Sequence, residues 1–186
     1  VDLLARSRAA GRIVQARLGP VDPIESAHGG SAGLRARLWR LVAAAASSAA
    51  RDAPEAALSN ASKILSAAAL DGDPFLWEAA LEAVAGAGIA TGREIAVERM
   101  LRRTRRACLP AGGEILVDAW IALVAARRGA ALTAYDLLTR VAQQLESCVG
   151  HTDAEVGPAA GVAALAARQL GQDGLEVLLS GWASPE

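Results

Sequence analysis

The chain has 186 residues, 53% of them hydrophobic, and a formal net charge of −1. That length supports one domain with its own core, without disulfides or metals as staples. The balanced charge argues against wholesale polyanion binding, and no stretch approaches the ~18 uninterrupted apolar residues of a membrane-spanning helix.

The composition is lopsided toward helix formers. There are 45 Ala and 24 Leu, against one Phe, one Tyr and one Met. Residues that suit strands are scarce, so an all-α fold is expected. The basic residues are 18 Arg and one Lys, Lys63. An excess of Arg and Ala points to a GC-rich, bacterial coding sequence. Cys108 and Cys148 fall on expected apolar helix faces and read as small hydrophobes, which fits a reducing cytoplasm.

In chain order, residues 2–18 form the first expected helix. It carries Arg6, Arg8, Arg12 and Arg17 but no apolar signal core, so no secretion signal is expected. Residues 19–32 hold two Pro with Gly, Ser and Asp and read as a linker. Residues 1–32 are thus an N-terminal helix and linker, and 33–186 a helical-hairpin domain. Its expected helices are 33–51, 54–70, 74–86, 92–108, 114–129, 133–148, 153–170 and 173–182. Pro54 and the pair Asp73-Pro74 mark two starts. Capping boxes are read at Thr91-x-x-Glu94, Thr152-x-x-Glu155 and Asp173-x-x-Glu176, with Thr133-x-x-Asp136 a near variant. Gly129, Gly150 and Gly171 stand where helices should end.

The segments pair into three hairpins with a period of roughly 39–42 residues. Ala69-Leu70, Cys108-Leu109 and Cys148-Val149 close the first helix of each, and the second helices end VAGAG, VAARRG and AARQLG. In length and phase residues 54–182 resemble tetratricopeptide-like or HEAT-like helical repeats. The resemblance implies stacked antiparallel hairpins, an α-solenoid-like arrangement. The tetratricopeptide pattern of Trp, Leu-Gly and Tyr is absent, and an irregular helical bundle is the competing architecture. Leu175, Leu178, Leu179 and Trp182 share a stripe, so the last helix reads as a closing cap. The segment ILVDAWIALVAA around Trp120 is apolar on almost every side and reads as a central helix.

Charge is segregated: residues 93–106 carry +4, while 54–92 carry −4 and 107–186 carry −5. Within 92–108, Val97, Met100, Leu101, Thr104 and Cys108 form one apolar stripe. Arg99, Arg102, Arg103 and Arg106 line the opposite face, with Arg105 beside them. Like charges at this spacing repel unless something anionic lies near, and only Glu94 and Glu98 on the same helix can offset them. Guanidiniums suit bidentate contacts with carboxylate or phosphate. Arg99, Arg102, Arg103 and Arg106 are therefore the expected binding face, its bland alternative being a solvated face neutralised by neighbouring acids such as Glu78 and Glu82.

Other constellations are weaker. Gly86-x-Gly88-x-x-x-Gly92 suggests a dinucleotide-binding turn but lies in a helical context, where the glycines read as a helix end. Cys148, His151, Asp153 and Glu155 crowd one connection without four zinc ligands, so no metal site is expected. With two histidines and no nucleophile motif, no catalytic residue and no cofactor is assigned, and an enzyme is disfavoured. Trp39, Trp77, Trp120 and Trp182 read as core residues; Trp39 and Trp182, toward the ends of the stack, read second as interface anchors. The leading expectation is a protein-protein interaction or adaptor module that docks an acidic protein or peptide, with homo-oligomerisation open. A nucleic-acid-binding regulatory domain is one alternative. An enzyme or small-molecule-binding helical domain, with a pocket beside Trp120 or Asp118, is the other.

Overall fold

A computed structural model describes residues 74–105, 112–148 and 153–183, together with 56, 58, 59, 63 and 65. The expected helices 2–18, 33–51 and 54–70, the linker 19–32, and Arg106, Cys108, His28, Trp39, Gly150, His151 and the Thr152 cap lie outside the described residues or are covered by them only in part. Every element among the described residues is an α-helix, so the fold there is all-α. The helices are α1 (Pro74–Ala90), α2 (Glu94–Thr104), α3 (Gly113–Arg127), α4 (Ala131–Ser147), α5 (Asp153–Gln169) and α6 (Asp173–Ala183). None is long and apolar enough to cross a membrane. They divide into two compact units between Thr91 and Gly92.

In the first unit, Trp77, Ala80, Leu81 and Val84 follow helical spacing and are buried to 1% exposure or less. The glycines expected to end this helix do not: α1 runs through Gly86 and Gly88 to Ala90. A Cβ at Gly86 would meet nothing within 4 Å, so no close approach requires glycine there. The true stop comes at Thr91-Gly92, where Gly92 takes φ +67°. Thr91 Oγ1 donates to the Gly88 carbonyl at 3.2 Å. That bond closes the helix behind it, so the expected Thr91–Glu94 capping box does not form. The cap position of α2 is Arg93, without a side-chain cap.

In the second unit α3 is the axis. Of its fifteen residues all but Glu114 and Arg127 are buried. It packs against α2, α4 and α5, and α5 packs in turn against α4 and α6. A helix apolar all round must be covered all round, which is how the ILVDAWIALVAA segment behaves. Helix α4 buries Ala134, Leu137, Leu138, Val141, Ala142 and Leu145, an i, i+3, i+4 stripe. The stripe of α5 is almost wholly alanine: Ala159, Ala160, Ala163, Ala164, Ala166 and Ala167 with Val156.

Two of the expected helix ends are Schellman turns. At Gly129 (φ +79°) the Ala130 N–H donates to the Ala125 carbonyl and the Gly129 N–H to that of Ala126. At Gly171 (φ +68°) Gln172 reaches Ala167 and Gly171 reaches Arg168 in the same pattern. The Gly129 turn also explains why α4 starts at Ala131: the chain re-enters helix at once, capped by Ala130 without a side chain. Thr133 is already helical, so its expected box with Asp136 does not form. Glu176 likewise does not serve Asp173 as a capping partner but accepts from Arg168 Nε at 2.6 Å. Gly129→Ala forces a Cβ into the left-handed region and is expected to cost roughly 1–2 kcal/mol. A denaturant midpoint lowered with an unchanged m-value checks it.

Candidate functional site

The apolar stripe of α2 seats the helix: Val97 and Leu101 are fully buried and Met100 is half-buried. Thr104 folds its hydroxyl onto the Met100 carbonyl at 3.0 Å. The opposite face carries Arg99, Arg102 and Arg103, all exposed. Arg106 lies outside the described residues, so the four expected binding arginines are seen as three.

Those three are not equivalent. Arg102 grips Glu98, one turn back, through Nη2 at 2.8 Å and Nε at 3.0 Å. The Glu98 side chain is only 9% exposed, and Arg128 from the end of α3 holds its other oxygen at 2.7 Å. One buried carboxylate thus sits between two guanidiniums. Arg99 and Arg103 have no ion pair with any described residue.

A second triad lies one layer deeper. Asp118, in the middle of α3, is 0% exposed. Arg140 of α4 donates to its Oδ2 through Nε at 3.1 Å, with Nη2 at 3.0 Å. Arg105, just past α2, places Nε 3.0 Å from Oδ1. That contact is an ion pair out of line for a hydrogen bond, so Oδ1 and Arg105 Nε are buried without one. Arg105, expected only to flank the arginine face, thus ties α2 to α3, and Arg140 ties α4 to it.

Burial pushes the Asp118 carboxyl above its ordinary range; Arg140 and Arg105 pull it back, and Glu114 one turn away adds to the rise. A carboxyl raised in the folded state binds its proton more readily there than in the unfolded chain. Stability from this group therefore increases as pH falls from neutral through the raised value, and levels off below the ordinary 3.8. Wild type is expected to gain on Asp118→Asn over that window in paired urea titrations. A gap independent of pH would contradict it.

Arg102, Arg105, Glu114, Asp118 and Ile121 line an open cleft of about 250 Å³ between α2 and α3. It is polar, unlike the apolar pocket that a small-molecule domain was expected to form beside Asp118. No protein-family model, curated protein or solved structure matches the chain. Its chemistry therefore rests on these side chains alone.

Sequence reasoning singled out the α2 arginines but missed both triads. A signal existed: Asp118 is the one charge inside an apolar run, and a buried charge needs a partner. Among the described residues, no group of three or more His, Cys, Asp or Glu side chains is placed to hold a metal. Trp77 and Trp120 are core residues at 1% and 5% exposure, and Trp182 is half-buried.

Proposed function

We propose that the second unit is a docking module for an acidic protein or peptide segment, with Arg99 and Arg103 as its contact pair. One observation carries the reading. These two guanidiniums stand one turn apart, exposed, with no carboxylate partner among the described residues, on a helix locked in place from beneath. The Arg102–Glu98–Arg128 triad fixes the backbone under them, so binding orders the two side chains but not the helix that carries them. Arg102, at 48% side-chain exposure, can add a hydrogen bond without leaving Glu98. Packing of α3 on both α4 and α5, and of α5 on α6, supports a stack of hairpins of the tetratricopeptide-like or HEAT-like kind as the scaffold.

A fluorescent polyglutamate peptide at low ionic strength is the probe, read by anisotropy against the full chain. Arg99→Glu with Arg103→Glu is expected to weaken binding by roughly tenfold or more, since repulsion replaces attraction at both positions. Failure of wild type to bind, or indifference to the reversal, removes the reading. Preference for an oligonucleotide of equal charge, with a steep salt dependence, would turn it toward nucleic acid.

A further inference from the structure

We infer that the acidic segment docks on α2 as an antiparallel amphipathic helix, with an apolar residue against Ile95 and two acidic residues on Arg99 and Arg103; the inference rests on the docking reading above. Ile95 is 55% exposed, whereas Val97 and Leu101 of the same helix are buried and Met100 is half-buried. One exposed isoleucine needs no explanation by itself. Its register gives it meaning. Ile95, Arg99 and Arg103 stand at i, i+4 and i+8, one row of the helix surface with about 6 Å between successive members. All three are exposed.

The charge along that row sets the order of residues in the docking segment. Arg99, Arg102 and Arg103 lie in the second half of α2, and Glu94 stands next to Ile95 at its start. Acidic residues are attracted to the second half and repelled from the first, so the position opposite Ile95 falls to an uncharged side chain. Ala96, small and exposed, leaves room for one the size of leucine. Glu98 does not disturb the match, since Arg102 and Arg128 already hold it.

The pitch of the row suits a helix. Positions i, i+4 and i+8 of a second helix repeat the spacing of about 6 Å, and rows of this kind meet in the commonest class of helix packing. An extended segment gains main-chain hydrogen bonds only at a sheet edge, and every element among the described residues is an α-helix. Antiparallel packing puts the acidic residues in the first turns of the docking helix, where its own dipole favours them. It also sets the N-terminus of that helix beside the C-terminus of α2, so the two dipoles attract.

The test titrates the full chain with labelled alanine-based peptides of about 15 residues, long enough to populate helix, and reads anisotropy. The first carries Glu-x-x-x-Glu-x-x-x-Leu, and the second has Ala in place of that Leu. The first should bind about fivefold tighter, the effect of covering half an isoleucine side chain. Ile95→Ala should erase the gap and leave polyglutamate binding as in wild type; Ile95 is exposed, so an unchanged melting curve certifies the fold. A nitroxide at the N-terminus of the first peptide should broaden the amides of Arg103 and Thr104 more than those of Glu94 and Ile95. Polyglutamate binding without the gap, a gap that survives Ile95→Ala, or the opposite broadening gradient overturns this inference and leaves the docking reading standing. Binding of neither polyglutamate nor the first peptide overturns both.

Discussion

Replacing both Arg105 and Arg140 by alanine is expected to cost about 3–5 kcal/mol, the range seen when a buried ion pair loses its partner. The asymmetry of exposure sets this size. The arginine side chains are 34% and 42% exposed and can be hydrated when left alone, whereas the Asp118 carboxylate is 0% exposed and cannot. Removing Asp118 frees two cations toward water; removing both cations strands an anion in the central helix. Each single replacement leaves one guanidinium in place, so the two singles should sum to well under the double. Adding Asp118→Asn to the double variant removes the buried charge and should recover much of the loss. The carboxyl, already raised by burial, rises further without its arginines, so the deficit should be largest at about pH 7 and shrink at about pH 5. Urea titrations of the five proteins at both pH values check this. A double variant as stable as wild type would mean that the triad contributes nothing, and one no worse than either single would contradict the expected non-additivity.

Much of the fold was legible because helix ends use local chemistry. Gly129 and Gly171 were readable as stops because a left-handed residue after a helix favours glycine whatever packs nearby. The α4 stripe was readable because Leu and Val contrast with Arg, Gln and Glu around it. Thr91 was misread for a related reason: its hydroxyl can serve the helix behind or the helix ahead, and the Gly92 turn decides it. Alanine hid the α5 face, since it forms helix equally well buried or exposed. At the site, the Glu98–Arg102 pair lies within one helix and follows from its i, i+4 spacing. The Arg128 and Arg140 contacts join separate helices, and only tertiary packing reveals that the two buried carboxylates hold Arg102, Arg105, Arg128 and Arg140.

The last helix gives the second large effect. Leu179 is the one fully buried residue among those described in α6; Leu175 and Trp182 are half-buried, while Val177 and Leu178 are exposed at 74% and 44%. Its hold on α5 therefore centres on Leu179, with the half-buried Leu175 and Trp182 beside it, on the Arg168–Glu176 pair at its start, and on van der Waals contact at its end. There a Cβ added at Gly161 would stand 3.9 Å from that of Ala183, ordinary contact rather than interlock. Leu179→Ala is expected to remove about 2–5 kcal/mol, the transfer and cavity cost of a buried leucine. The consequence is local before it is global. The Arg168–Glu176 pair is exposed on the arginine side and is worth at most about 1 kcal/mol, so it cannot hold the helix alone. Amide exchange in α6 should accelerate by roughly one and a half to three and a half orders of magnitude, at about 1.4 kcal/mol per tenfold, while α3 amides change less. Uniform acceleration across both helices would instead make α6 part of one cooperative core. Exchange confined to α6 would mark it as a detachable cap over the alanine face of α5.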